Sequence, residues 1–164
     1  MPPDVFIPGP RTGRQFRDAL GAFATGVTVV TAQSARGPLG ITANSFASLS
    51  LDPPLVLWSP ARASRRFATF ASAQYFAIHV MGAEQAELAG HFARQGHDFD
   101  LPDVHMNAQG VPILQGCLAV FECRQEAVHE GGDHAIVVGR VLAAQHTPGA
   151  PLLFHGGRFG QWSS

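Results

Sequence analysis

The stretch GVTVVTAQSARGPLGITANSFASLSLDPPLVLW, residues 26–58, decides the fold. GVTVVTAQ, LGITANSF and PLVLWS are runs rich in β-branched and aromatic residues, and Gly, Pro and Ser punctuate them, with a turn at SARGP. Such punctuation predicts a meander of strands. Between the second and third runs lie Thr42, Asn44, Ser45, Ser48 and Ser50, which are neutral and able to hydrogen-bond.

Working outward, the first ten residues carry four prolines, so residues 1–12 are expected to form an extended arm. Thr12-Gly-Arg-Gln15 has the pattern of a capping box. Phe16, Leu20 and Phe23 follow at the spacing of one helical face, in a short helix ending near Gly26. Downstream, ARASRRFATFAS predicts a helix with Phe67 and Phe70 turned inward, QYFAIHV a strand, and GAEQAELAGHFARQ a second clear helix. Residues 95–116 read as a long irregular connection. CLAVFECRQEAVHE and HAIVVGRVLAAQH are two long strands joined across GGD, and PLLFHGGRFGQW closes the chain as a short edge segment. Neither a repeat nor a linker interrupts residues 13–164, which are expected to form a single domain. Strands dominate and do not alternate with helices, and no G-x-G-x-x-G follows a strand. The expected class is mainly β, an antiparallel barrel with peripheral helices.

Composition narrows the function. Charged residues are only 14% of 164 positions, well below the roughly 25% of an average globular protein. So uncharged a surface is expected to be covered in part by a second copy of the chain or by a large ligand, and a homo-oligomer is expected. Net charge is −1 and every one of the 11 basic residues is Arg, with no basic stripe, which argues against nucleic acid. MPPDVFIPGP lacks the basic-then-apolar order of a secretory signal, and no apolar run reaches the ~20 residues of a membrane helix. A cytoplasmic location without membrane attachment is expected. Cys117 and Cys123 are six apart in a predicted strand, on one face with Ala119 and Phe121. At ~3.3 Å per residue they are too far apart for a disulfide and read as buried thiols.

Several chemistries fall away. No G-x-S-x-G elbow is present. HFARQGHDFDLPDVH, residues 91–105, holds three His and three Asp but neither H-E-x-x-H nor a calcium-loop spacing, so no metal is expected. The neutral row at 42–50 has two readings. It is a polar strand edge or Ser-rich turn, or it is the rim of a site for a flat ligand such as a flavin, which needs apolar contact on its faces and uncharged donors and acceptors at its edge.

Five landmarks lie in order: FATGVTVVT (23–31), G-I-T-A-N-S-F-x-S-L-S-x-x-P-P-L (40–55), the segment at Ser64, GDHAIVVGRV (132–141) and PLLFHGGRFG (151–160). Together they resemble the flavin reductase family, the small reductase components of two-component flavin-dependent monooxygenases, from about Phe16 to Trp162. The resemblance implies a split β-barrel of the FMN-binding, flavin reductase-like kind. It implies a homodimer that binds FMN or FAD, reduces it with NADH or NADPH, and serves a monooxygenase component transiently or by diffusion of reduced flavin.

By the same resemblance, Thr42, Ala43, Asn44, Ser45, Ser48, Leu49 and Ser50 belong to the segment around the flavin ring and ribityl chain. Ser64 and Arg65 fall at the flavin phosphate, His134 near the nicotinamide as the catalytic candidate, and Phe159 over the ligand site. His134 has a second reading as a core histidine on an alternating strand. The chain departs from the family at Arg65-Arg66, where a second small hydroxyl residue is usual, and at HDFD (97–100). Two other uses of this fold are a flavin-binding electron carrier and a flavin oxidase acting directly on a small substrate.

Overall fold

The computed structural model describes residues 4–163. Of the expected arm, residues 1–3 lie outside the described residues, as does Ser164. The meander is present: β2 (Thr28–Ser34), β3 (Gly37–Ala43), β4 (Ala47–Ser50) and β5 (Leu55–Trp58) follow one another. They join β6 (Tyr75–Val80), β9 (Ala119–Gly131) and β10 (His134–His146) in a seven-stranded sheet of order β3-β2-β6-β9-β10-β5-β4, every pairing antiparallel. β3 and β4 are the two edges of this sheet and yet neighbours in sequence. Residues from both ends, Leu39 and Val56 with Phe46, share one core cluster with Phe76, Ile78, Cys123 and Val137, so the sheet curls on itself as a barrel.

β9 and β10 form a long hairpin turned at Gly132-Asp133, where Gly132 takes φ +72. The ladder is irregular between Val138 and Gly139. A Cβ at Gly139 would lie 2.6 Å from the Phe76 ring, so the bare backbone makes room for the barrel's aromatic filling.

A second layer covers the other face of β2, β6 and β9. It contains α3 (Ala86–Arg94), preceded by a 3₁₀ turn (Ala83–Gln85), together with β8 (Pro112–Leu114), which pairs with β7 (Val104–Met106). Ala89 and Phe92 of α3 pack with Val27, Val29, Ala77, Ile113 and Val120. β8 is held to the sheet by polar contacts: Thr31 Oγ1 donates to Pro112 O at 2.6 Å, and His79 Nε2 accepts from Leu114 N–H at 3.1 Å. A small sheet of β1 (Thr25–Gly26), β11 (Leu152–His155) and β12 (Arg158–Gln161) lies beside this layer.

Several expectations are corrected. The Thr12 capping box does not form, because Thr12 Oγ1 donates to Ile7 O at 2.8 Å and so ties the arm to the helix start. Helix α1 (Gly13–Gly21) ends five residues before Gly26, and its apolar face is uncovered, with Phe16 43%, Leu20 58% and Phe23 79% exposed. α2 spans only Phe67–Ser72, with Phe70 buried and Phe67 half-buried under Arg62. The 95–116 connection contains the β7–β8 hairpin. Cys117 precedes β9 and packs under α3, while Cys123 faces the barrel, so the two thiols do not share a face. Among the described residues no helix is long and apolar enough to cross a membrane.

Candidate functional site

β3 carries two clefts, one towards each end. At its C-terminal end, Thr42, Ala43 and Asn44 line an apolar-walled cleft of about 200 Å3 with Val27, Phe154 and Phe159. The two phenylalanines face each other across the β11–β12 hairpin, ring centroids 5.8 Å apart. Nearer its start, Leu39 contributes to a cleft of about 500 Å3 whose other walls include Arg36, Ser64, Arg65, Arg66, Arg94 and His97. Leu39 and Thr42 are three residues apart on one strand, about 10 Å at ~3.3 Å per residue. The end of α3 is a second shared wall, with Ala93 in one cleft and Arg94 in the other.

Gly40 sets the distance between these walls. A Cβ there would lie 2.6 Å from the buried Phe92 ring, so glycine lets α3 lie against β3. Arg66 then locks the contact: its guanidinium donates to Gly40 O at 3.0 Å, to Phe92 O, and to Ala93 O at 3.3 Å. Those last two carbonyls end α3 without intrahelical partners, and a cation there also faces the negative end of the helix dipole. Burial lowers the Arg66 pKa from its ordinary value. Arg66 is therefore a structural strut as well as a cleft wall.

The neutral row divides. Thr42 Oγ1 donates to Ala89 O, and Ser45 Oγ accepts from Ser59 N–H at 2.9 Å, so both hydroxyls are committed to the fold. Asn44 is exposed on the rim of the apolar cleft. Ser48, Leu49 and Ser50 lie on β4, at the opposite edge of the sheet, and line neither cleft. The structure thus brings Thr42, Ala43, Asn44 and Phe159 together, and separately Ser64 and Arg65.

His134 begins β10 at the hairpin tip. Its side chain is 45% exposed and its Nδ1 lies 2.7 Å from Asp133 Oδ1, a contact that holds the Asp133 carboxyl below its ordinary range. The core-histidine reading therefore does not hold for it. The tip also positions the Ser64 loop: Ala61 bridges to His134, Arg62 N–H donates to Asp133 O at 2.9 Å, and Arg62 pairs with Glu130 at 2.6 Å. Ser64 Oγ accepts from Arg66 N–H at 3.2 Å, which turns the loop into α2 and leaves Arg65 exposed.

Sequence reasoning missed Arg36, Arg94, His97 and Phe154 as cleft walls. For Phe154 the signal was present, since PLLFHGGRFG is a hairpin whose ends face each other. The arginines gave none, being scattered along the chain. The core histidine is His79, whose Nδ1 is 2.9 Å from Val29 O and whose burial lowers its pKa to about 4. Burial also pushes the Cys117 and Cys123 thiols up to about 11 and about 12, which leaves no thiolate for chemistry.

The flavin reductase like domain family matches residues 20–163. The chain is 57% identical over 159 residues to an FMN reductase (NADH), SmoA, of Agrobacterium fabrum, covering 97% of this chain and 91% of that one. It is 40% identical over 148 residues to a flavin-dependent monooxygenase reductase subunit, HsaB, of Rhodococcus jostii, covering 89% of this chain and 76% of that one. Two other relatives are longer, and the chain spans 46% and 61% of them. The solved structure of Streptomyces globisporus NADH:FAD oxidoreductase SgcE6 in complex with NAD and FAD fragments superposes at TM-score 0.87 and 38% identity, covering 97% of this chain and 98% of that one. A curled antiparallel sheet with two clefts along one edge, matched in sequence and in structure over nearly its whole length, places this chain in the flavin reductase family.

Proposed function

We propose that the protein is an NAD(P)H:flavin oxidoreductase that reduces FMN or FAD and supplies the reduced flavin to a separate monooxygenase component. The pair of clefts along β3 carries this reading. A flavin is a flat ring joined by a ribityl chain to a phosphate, and the chain offers an apolar slot with a neutral rim about 10 Å from an arginine-walled one. The donor set fits the group: among the described residues no carboxylate lines either cleft. The flavin when bound accepts the hydride and NAD(P)H donates it, so the protein's work is positioning.

Phe154 and Phe159 exclude water from the ring slot, and Asn44 presents an amide at its edge. Ser64 and Arg65 hold the phosphate, a charge-assisted contact. His134, steadied by Asp133, orients the nicotinamide or balances charge on the reduced ring. Ser48, Leu49 and Ser50 reach the flavin only from the opposite edge of the sheet, and their part in the site rests on the family resemblance alone.

Purified protein given NADH or NADPH with free FMN or FAD is expected to oxidise the nucleotide at a rate that saturates in flavin, and to lose bound flavin on dilution. Flavin retained through exhaustive dialysis, with no rate increase from added flavin, would put the electron-carrier or oxidase reading in its place.

The protein is further proposed to work as a homodimer in a reducing, cytoplasmic setting, with residues 13–164 acting as one domain. A nine-residue helix that buries none of its own residues has too little to hold it as an isolated element. Phe16, Leu20 and Phe23, with Val5 and Ile7 of the arm, form an apolar surface suited to a second copy. Light scattering at micromolar concentration is expected to give twice 17.4 kDa with little dependence on salt. A mass near 17.4 kDa would refute the dimer.

A further inference from the structure

By its place after Ser64 and Arg65, Arg66 looks like one more phosphate ligand, but its contacts point elsewhere. We infer that Arg66 is a positioning residue for the flavin ring: it holds the walls of the ring slot at a fixed distance from the Ser64 loop and does not itself bind phosphate. This role rests on the flavin reading above. The end of the guanidinium is spent. Nη1 carries two protons and makes two hydrogen bonds, to Gly40 O and Phe92 O, and Nη2 donates to Ala93 O. Its other edge passes close over Gly96, where a Cβ would lie 3.1 Å from Arg66 Cδ and 3.2 Å from Nε. Bidentate grip on a phosphate needs two parallel N–H groups of the fork, and here the fork faces backbone. Arg65, one residue earlier, is the exposed one.

The carbonyls it holds belong to the walls that the two clefts share. Gly40 lies between Leu39, a wall of the arginine cleft, and Thr42, a wall of the ring slot. Ala93, the third acceptor, itself lines the ring slot. At its backbone Arg66 is fixed to the Ser64 loop, since its N–H donates to Ser64 Oγ at 3.2 Å immediately before α2. One side chain therefore runs from the Ser64 loop to two walls of the ring slot. Among the described residues, no other hydrogen bond ties residues 61–72 to β3 or to α3. The ring and phosphate of a flavin are joined by a ribityl chain of limited reach, so the span between the two subsites decides whether both can be filled at once. Arg66 sets that span.

The test is a titration of FMN and of riboflavin, which has the ring and ribityl chain without the phosphate, on the parent, Arg66→Lys and Arg65→Ala. Lysine keeps the charge and loses the fork that reaches three carbonyls. Arg66→Lys is expected to weaken riboflavin and FMN alike, about tenfold each, leaving their ratio within about twofold of the parent's. Arg65→Ala is expected to weaken FMN alone. Titrations are made on folded protein, well below the urea midpoint, so that a merely structural role would leave both affinities parental. Should Arg66→Lys not fold, Gly96→Ala reads the same ratio, because its new Cβ crowds the Arg66 stem and Leu39 while the guanidinium remains. Loss of FMN affinity alone would make Arg66 a phosphate ligand, and parental affinities for both flavins would make it a strut of the fold only; either result overturns the positioning role. A parent protein that binds neither flavin sinks the proposed function instead.

Discussion

The layer beneath α3 and the rim around the Ser64 loop use the same residue types to opposite ends. Under α3, Thr31, Thr42, His79 and Arg66 each spend their polar atoms on backbone groups of another element. Around the rim, Arg36, Arg65 and Asn44 are exposed, and the nearest partner of His134 is its own chain neighbour. The difference separates two meanings of a polar side chain. A buried one is explained by the group it satisfies, because leaving that group unpaired is costly. One held out on a fixed rim contributes little to the fold and is available to a ligand. Substitutions in the first region are therefore expected to cost stability, and those in the second to cost binding or rate.

The largest effect is expected at His79. His79→Ala leaves the buried Leu114 N–H without its acceptor and loosens β8, for about 3 kcal/mol of stability measured by urea unfolding. The same residue gives the parent an acid dependence. Its folded pKa is lowered from the ordinary 6.5 to about 4, so the unfolded chain takes up the proton first as pH falls. The stabilisation is fully present above pH 6.5 and is lost between 6.5 and about 4, by up to about 3 kcal/mol at 1.36 kcal/mol per unit. The stability gap between parent and His79→Ala should narrow over that window. An unchanged gap would mean that His79 is not held neutral by the fold.

Gly40→Ala tests whether the two regions are coupled. The new Cβ would meet the Phe92 ring at 2.6 Å, and overpacking of this kind costs about 1–3 kcal/mol. Because Gly40 also accepts from Arg66 between the two clefts, flavin affinity is expected to fall with stability here, unlike at His79. A stable variant with parental flavin affinity would show that α3 can shift without disturbing either cleft.

In the rim the pattern reverses. Arg65→Ala is expected to leave the unfolding midpoint unchanged and to weaken FMN binding by about 1.5–3 kcal/mol, whereas Ser64→Ala is expected to weaken binding less and also to lower the midpoint, because its hydroxyl accepts from Arg66 N–H at the start of α2. Equilibrium titration at low and moderate salt checks this, and two variants that bind as tightly as the parent would remove the phosphate assignment.

This division also explains what the sequence could disclose. The strands of the barrel and the long β9–β10 hairpin were legible because alternation and Gly/Pro punctuation are local signals. The β7–β8 hairpin was not, since three-residue strands carry no period. Thr12 looked like a cap because its pattern is local, yet its hydroxyl bonds backwards to Ile7. Thr42 and Ser45 were legible as polar residues beside a core, but whether a hydroxyl is spent on Ala89 O or left for a ligand depends on where α3 lands. Arg36, Arg65 and Arg94 are far apart in the chain, and only the docking of the β2–β3 turn and α3 against α2 brings them to one cleft.

The smallest effect, and the sharpest test of the comparison, is expected at His134. It lies on the rim and carries a partner, Asp133, so it looks outwardly like the paired residues of the buried layer. The pair is exposed, with Asp133 almost fully in solvent, and exposed pairs contribute little to stability. His134→Ala should therefore unfold at the parental midpoint, since the Ala61 bridge and the Arg62 contact to Asp133 O are backbone-held and survive the change. Flavin affinity should also stay close to parental, because the residue lines neither cleft. What should fall is the NAD(P)H-dependent rate at saturating flavin, by about tenfold, or about 1.4 kcal/mol in the barrier. His134→Gln, which keeps a hydrogen-bonding head near Asp133, should recover part of it if orientation is the role, and none if charge on the ring is being balanced. A His134→Ala protein that turns over at the parental rate would show that the hairpin tip serves only to brace the Ser64 loop, and the assignment of a catalytic part to this histidine would fall.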